Sequence, residues 1–265
     1  MTGIYVLHVD DERDFAELVA AYLERENDDF VVHTATSVDA ACDALAERDV
    51  DCVVSDYEMP GMDGIEFLEA VRADHPDLPF VLFTGKGSEE VASEAISAGV
   101  TDYLQKEAGV SQYTLLANRV RNAVRSRRAR RERERSVRRF EAVFEDPGML
   151  VGILSPAGRV QRTNRTSLEF VEADEDAVVG DRFWETPWWP AERRGDVREW
   201  VERAASGEYV TYDAALTDAN GDPYRVDGTI RPVTDDAGDV VSLVVSARAT
   251  AGDAPRNAST PQQNG

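Results

Sequence analysis

The strongest constraint on the fold of this chain is a regular alternation of short apolar runs and amphipathic segments over residues 1–110. Each apolar run has the length of a buried strand, and the segments between the runs repeat apolar residues at the spacing of a helix face. The predicted strands are Ile4–Val9, Phe30–Val32, Val50–Ser55, Phe80–Phe83 and Thr101–Leu104. The predicted helices cover 12–25, 38–48, 65–74, 89–98 and a longer segment that begins at 111. This order predicts an α/β fold with a doubly wound, five-stranded parallel sheet.

Polar residues of this region collect where the predicted strands end. Asp10 and Asp11 follow the first strand, and Asp56 follows the third. Thr84 follows the fourth strand, and Lys106 comes two residues after the fifth. Ligands of open α/β sheets bind beyond the carboxyl ends of the strands. We therefore expect these carboxylates, the hydroxyl and the ammonium to form one pocket.

The residue types in this pocket favour one kind of chemistry. Neighbouring carboxylates repel one another and require a cation, and oxygen ligands favour Mg²⁺. A carboxylate can attack phosphorus to form an acyl phosphate. The transfer then mainly requires that charge on the phosphoryl oxygens be neutralised. Mg²⁺, Lys106 and the hydroxyl of Thr84 could each neutralise one oxygen, which predicts phosphoryl transfer to Asp56.

The motifs around these residues resemble the receiver domain of response regulators, the CheY-like family with a flavodoxin-like fold. The resemblance covers residues 1–118, which we predict to be one domain. The segments that carry it are Val9–Glu12, Ser55–Gly64, Phe83–Gly85 and Asp102–Lys106.

The resemblance implies a role for each pocket residue. Asp56 would accept the phosphoryl group, with Thr84 and Lys106 as its catalytic partners. Mg²⁺ would be held by Asp10, Asp11 and Asp56 and by the backbone carbonyl of Glu58.

The resemblance also implies a conformational switch. Thr84 and Tyr103 would form its two parts, because the Thr84 hydroxyl moves toward the phosphoryl group and the Tyr103 ring follows. One departure concerns the loop after Lys106, where such domains usually have proline and this chain has Glu107. We expect that loop to be looser or held in another way.

A basic segment follows the predicted sheet. Residues 119–139 contain eleven arginines against two glutamates, so this segment is locally +9 while the rest of the chain sums to −31. Residues 111–146 lack Gly and Pro, which predicts one long helix whose part 119–140 links two domains. A homodimer through this helix is one possibility. A regulator that binds nucleic acid through the arginines is the alternative, and the overall acidity of the chain argues against it.

The pattern changes after the linker. Strands at 149–154 and 159–163, short helices at 164–171 and 190–206, and strands at 208–217, 223–232 and 239–247 predict an α+β domain with an antiparallel sheet. The turns Asn220-Gly221 and Asp236-Ala237-Gly238 suit hairpins. Residues 141–250 resemble a PAS domain on this order of elements. The tail 251–265 is rich in polar residues and is predicted to be disordered.

The PAS-like region offers few ligands for a cofactor. Every histidine and cysteine of the chain precedes residue 112. Haem, a covalent flavin adduct and an iron–sulfur cluster are therefore disfavoured there, and the ligand, if any, stays unknown. All four tryptophans, Trp184, Trp188, Trp189 and Trp200, lie in this region. They could line a ligand pocket, and we favour a role in the core or at a dimer face.

The composition is strongly acidic, with 51 Asp and Glu against 29 Lys and Arg and a net charge of −22. Only two of the basic residues are lysines. Many carboxylates with few lysines resemble the proteins of salt-loving archaea; a GC-rich genome would also favour arginine, but it does not explain the carboxylates. No apolar run approaches the roughly 20 residues that span a bilayer, and no signal peptide precedes the first strand. We predict a cytoplasmic protein without a membrane partner.

These features together predict a two-component response regulator. A sensor histidine kinase would phosphorylate Asp56, and the PAS-like domain would pass the signal to an unknown downstream protein. The chain is not expected to be an enzyme beyond catalysing its own phosphorylation and dephosphorylation. It is not expected to be the kinase, since residues 112–265 contain no histidine and no glycine-rich ATP site. A Mg²⁺-dependent phosphohydrolase is a further alternative. It is disfavoured because Glu58 stands where such enzymes usually have a second aspartate.

Overall fold

The computed structural model of the chain describes residues 3–85, 89–217 and 223–249. The chain divides into two compact units, 1–135 and 136–265. The predicted Asn220-Gly221 turn and the predicted disordered tail lie outside the described residues. Among the described helices, none combines the length and the apolar character that crossing a membrane requires.

The first unit is built on a five-stranded parallel sheet in the order β2-β1-β3-β4-β5. This confirms the predicted α/β fold class. Its strands are β1 Ile4–Val9, β2 Phe30–Ala35, β3 Cys52–Ser55, β4 Phe80–Thr84 and β5 Asp102–Gln105. Its helices are α1 Arg13–Glu26, α2 Val38–Glu47, α3 Gly64–Asp74, α4 Glu89–Ser97 and the start of α5 Ser111–Phe144.

The inner strands β1, β3 and β4 are buried on both faces of the sheet, which explains why they are almost continuously apolar. Alternate residues of β1 point to opposite cores. Val6 packs in the cluster that contains residues of α1 and α5. Leu7 and Val9 pack in the cluster that contains residues of α2 and α3.

Helix ends in this unit follow local capping chemistry. The Ser37 side chain accepts a hydrogen bond from the Ala40 amide, as the predicted cap requires. Asp63 and Glu66 form a reciprocal capping box at the start of α3. Predicted strand ends differ by a few residues, most at β2, which extends to Ala35. Two of its later residues, His33 and Thr34, are polar and exposed on this edge strand, and pairing with β1 continues the strand through them.

The basic part of α5 is not a free linker along its whole length. Arg128 Nη2 donates to the Gly3 carbonyl and to Asp51 Oδ2, each at 2.7 Å. Arg130 forms an ion pair with Asp77. The helix therefore continues to contact the first unit well past residue 119, where the linker was predicted to begin.

The second unit has a five-stranded antiparallel sheet in the order β7-β6-β10-β9-β8. This confirms the predicted α+β class of the second domain. Its strands are β6 Leu150–Leu154, β7 Val160–Thr163, β8 Val210–Thr217, β9 Pro223–Thr234 and β10 Val240–Ala249. Its α-helices are α6 Arg165–Val171 and α7 Arg194–Ala205.

One predicted helix of this unit starts later than expected. The pattern predicted a helix from residue 190, whereas α7 begins at Arg194 after a single 3₁₀ turn, Ala191–Arg193. Pro190 has an extended backbone with ψ of 150°, so the helix cannot include it. The predicted turn at 236–238 is present between β9 and β10, with Gly238 at a φ of 88°.

A buried asparagine joins β6 to α6. Asn164 Oδ1 accepts hydrogen bonds from the Val151 amide and from the amide and hydroxyl of Ser167. Its Nδ2 donates to the Met149 carbonyl at 2.8 Å. Because Asn164 is fully buried and its amide is satisfied on both sides, it fixes the angle at which the chain enters α6.

Candidate functional site

Three carboxylates meet at the carboxyl end of the parallel sheet. Side-chain oxygens of Asp10, Asp11 and Asp56 all lie within 4.8 Å of one another. Asp10 and Asp56 are buried, and Asp11 is exposed. Buried carboxylates this close require positive charge between them.

The ammonium of Lys106 supplies part of that charge. Lys106 Nζ lies 2.8 Å from Asp10 Oδ2 and 3.1 Å from Asp56 Oδ2. The second oxygen of each buried carboxylate accepts from a backbone amide: Asp10 Oδ1 from Glu12 at 3.0 Å, and Asp56 Oδ1 from Tyr57 at 2.7 Å. Three carboxylates and one ammonium leave a formal charge of −2 at the site. The all-oxygen donor set and this charge suit a hard divalent cation such as Mg²⁺.

The strand order brings these residues together. Asp10 follows β1 and Asp56 follows β3, and these strands are neighbours although β2 separates them in sequence. The Asp56 amide donates to the Val9 carbonyl at 2.8 Å, which continues the β1–β3 ladder to the site. The sheet reverses its direction of growth at this point, which is where open α/β sheets bind ligands.

A glycine behind Asp56 lets α3 approach the site. A Cβ on Gly64 would lie 2.3 Å from the Asp56 carbonyl oxygen and 2.8 Å from Leu82 Cδ2. Gly64 also donates its amide to the Tyr57 carbonyl at 2.8 Å. The first residue of α3 therefore packs directly against the backbone that carries Asp56.

The remaining predicted residues surround the cluster. Thr84 is fully buried at the end of β4, and its carbonyl accepts from the Lys106 amide at 2.7 Å. Tyr103 lies on β5, partly buried against the core that includes β1 and α3. Glu58 is exposed two residues after Asp56. Their predicted roles in switching and metal binding stay predictions.

A glutamine holds the loop that follows Lys106. Gln112 Oε1 accepts from the Glu107 amide at 2.9 Å, and Gln112 Nε2 donates to the Gly109 carbonyl at 3.0 Å. The Gln112 side chain thus joins two residues of the β5–α5 loop. Although Glu107 stands in place of proline, the loop is held, and the group that holds it is a side-chain amide.

A buried histidine lies two residues before Asp10. His8 is fully buried, and its Nδ1 donates to the Val54 carbonyl at 3.1 Å. Burial lowers the pKa of His8 to about 4. The imidazole is therefore neutral at physiological pH and adds no charge beneath the site.

Burial raises the pKa of Asp56, and the nearby ammonium of Lys106 and the Tyr57 amide partly oppose this increase. A raised pKa in the folded state means that the protonated carboxyl is favoured by folding. The stability it contributes is present below the ordinary pKa of aspartate and is lost as pH rises through the raised pKa. At neutral pH the ionised Asp56 therefore costs stability.

We therefore expect Asp56→Asn to increase the free energy of unfolding of the first unit at pH 7. The gain should shrink toward pH 4, since the wild-type carboxyl then becomes neutral too. Lys106 keeps its partner Asp10 in this variant. Urea unfolding of both proteins at the two pH values, without Mg²⁺, measures the difference. Equal or lower stability of Asp56→Asn at pH 7 would contradict the prediction, and Asp39→Asn, which removes an exposed carboxylate, is the control.

The second unit has its largest aromatic cluster between the sheet and the helices. Trp188 and Trp189 are buried there, and Trp200 stacks on Tyr212 at a centroid distance of 4.9 Å. Trp188 and Trp189 therefore belong to the core, as predicted, and Trp184 and Trp200 pack against it partly buried. Trp188 and Trp189 also line a cavity of about 30 Å³, together with residues of β6 and β10.

Comparison with known proteins agrees with the division into two units. Residues 6–118 match the family of the response regulator receiver domain, and residues 144–251 match the PAS fold. The chain therefore contains a response regulator receiver domain followed by a PAS fold domain.

Individual relatives resemble part of the chain. The nitrogen assimilation regulatory protein NtrX of Azorhizobium caulinodans is 33% identical over 48% of this chain and 28% of its own length. The C4-dicarboxylate transport regulator DctD of Rhizobium meliloti is 32% identical over 66% of this chain and 36% of its own length. The chain thus spans well under two thirds of these relatives. Among solved structures, the chemotaxis response regulator CheY4 of Vibrio cholerae is 29% identical, with a TM-score of 0.41, over 45% of this chain and 99% of its own.

Proposed function

We propose that the chain is a two-component response regulator that accepts a phosphoryl group on Asp56 from a sensor histidine kinase. One observation carries the proposal: Asp56 lies beside Asp10 and Asp11, with Lys106 Nζ 3.1 Å from its Oδ2. This arrangement combines a nucleophilic carboxylate, a cation site and a fixed ammonium at the sheet edge. The receiver domain match and the receiver-containing relatives support the same reaction.

The proposed reaction uses the side chains in separate roles. An Asp56 carboxylate oxygen attacks phosphorus, the P–N bond of the donor phosphohistidine breaks, and the imidazole leaves with the electron pair. Asp10, Asp11, Asp56 and the Glu58 carbonyl would hold Mg²⁺, which when bound neutralises charge on the phosphoryl oxygens. Lys106 would contact a second of these oxygens.

Two side chains, a hydroxyl and an aromatic ring, would change position when Asp56 carries the phosphoryl group. Thr84, buried at the end of β4, would donate its hydroxyl to a third phosphoryl oxygen. Tyr103 on the neighbouring strand β5 would move inward in response. We propose that the PAS fold domain then passes the signal to a downstream protein. In this proposal the chain accepts the phosphoryl group and does not act as a kinase.

The proposal extends to the conditions under which the protein works. The histidine kinase donor uses intracellular ATP, so we propose a cytoplasmic location. The net charge of −22 and the near absence of lysine support adaptation to high salt. The contacts of Arg128 and Arg130 with the first unit support a docking role for the basic segment over nucleic-acid binding.

Intact-mass measurement with acetyl phosphate and Mg²⁺ in high-potassium buffer tests the proposal. We expect one added phosphoryl group on the native chain, none on Asp56→Asn, and one on the control Asp39→Asn. Native protein that stays unmodified while calorimetry detects bound Mg²⁺ would overturn it. Sustained release of phosphate over many turnovers would favour the phosphohydrolase instead.

A further inference from the structure

The Lys106 ammonium is held by more than carboxylates. Its Nζ lies 4.5 Å from the centre of the Phe15 ring and 5.9 Å from the centre of the Phe83 ring. Asp10 and Asp56 supply its negatively charged contacts. The ammonium thus lies against two carboxylates and an aromatic face.

The Phe15 ring differs from the carboxylates in one respect that matters for the reaction. A cation held by Asp10 and Asp56 would share their oxygens with Lys106, so the hold of these carboxylates on the ammonium would weaken. The face of an aromatic ring attracts an ammonium, but it is not a ligand for a hard divalent cation. The contact with Phe15 can therefore persist throughout the reaction.

The ring itself is well supported. Phe15 is half-buried in the first turns of α1, and it stacks on Phe83 with a centroid distance of 6.3 Å and an interplanar angle of 24°. Phe83 is fully buried in β4 and directly precedes Thr84. A lysine side chain has a flexible four-carbon stem, so a fixed ring on one side restricts where its ammonium can go.

We propose that Phe15 is a positioning residue that holds the Lys106 ammonium, by a cation–π contact, where it meets the incoming phosphoryl group. The inference rests on the proposed function, because it assigns Phe15 to the same reaction. The sequence motifs around the site did not include Phe15, since the contact joins α1 to the loop after β5.

The experiment compares initial rates of phosphorylation by acetyl phosphate, measured by intact mass in high-potassium buffer with Mg²⁺. Phe15→Leu keeps an apolar side chain but removes the ring, and it should slow the reaction by about 2-fold to about 30-fold. Phe15→Tyr restores the ring and should restore most of the rate. Phe30→Leu is the matched control, because it removes a buried ring from the same core and should keep the native rate.

A graded substitution separates attraction by the ring from packing. Mono-, di- and trifluorophenylalanine at position 15 keep the ring shape while weakening its negative face, so the rate should fall stepwise with fluorine number. Native-like rates for Phe15→Leu and for the whole fluorinated series would overturn the inference. Equal losses in Phe15→Leu and Phe30→Leu, with no fluorine dependence, would also overturn it, because general packing would then be the cause. Failure of the native chain to accept a phosphoryl group would instead contradict the proposed function.

Discussion

Lys106→Met is expected to slow phosphorylation of Asp56 by at least about 100-fold, the loss typical of removing one charge-stabilising group from a transition state. Methionine keeps an unbranched stem of similar length, so the loop after β5 can stay in place. The missing ammonium would leave one phosphoryl oxygen without a charged partner. Initial rates with acetyl phosphate measure the loss, and a variant within about 3-fold of the native rate would contradict the assigned role of Lys106.

The same variant should bind Mg²⁺ more tightly than the native protein. In the structure the ammonium contacts Asp10 Oδ2 and Asp56 Oδ2, so it would compete with a cation for these two carboxylates. Removing it changes the formal charge of the site from −2 to −3. Calorimetric titration with MgCl₂ should therefore show a higher affinity for the variant than for the native protein. This change is opposite in direction to the change in phosphorylation rate. Arg119→Met, which removes a cation paired with Asp102 elsewhere in the unit, should change neither.

Gly64→Ala is expected to destabilise the first unit by about 3 kcal/mol or more. The added methyl group would stand 2.3 Å from the Asp56 carbonyl oxygen and 3.0 Å from Tyr57 Cα. Both neighbours are backbone atoms, so relief requires that α3 or the Asp56 segment move. That movement displaces the nucleophile, and phosphorylation should fall with stability.

The distribution of tryptophan makes this effect measurable in one unit. All four tryptophans lie in the second unit, so tryptophan fluorescence reports unfolding of that unit alone. Far-UV circular dichroism reports both units. We expect Gly64→Ala to lower the denaturant midpoint of the part of the dichroism change that comes from the first unit. The midpoint of the fluorescence change should stay as in the native protein. Gly85→Ala is the control, because a Cβ there has no described atom within 4 Å. A native-like dichroism transition in Gly64→Ala would contradict the prediction.

Much of the fold follows from local patterns. Strands buried on both faces have continuous runs of apolar residues, and the helices have apolar residues at a regular helical spacing. The parallel sheet could therefore be predicted from the sequence. The edge strand β2 was predicted too short, because His33 and Thr34 look like loop residues until their pairing with β1 is known. The start of α7 was misplaced for a similar reason, since the backbone of Pro190 depends on the loop before it.

The sequence alone identifies the residues that could form the acidic pocket, because parallel strands place their carboxyl ends at one edge of the sheet. How that pocket is held depends on three-dimensional packing. The Phe15 ring beside Lys106 and the Gln112 bridge across the loop lie outside the motifs around the site. Gly64 ends one of those motifs, but the motif does not show that this glycine packs against the Asp56 carbonyl. Such contacts depend on how helices pack against strand ends. Packing is set by the sum of many side chains, so the spacing of any one residue type does not reveal it.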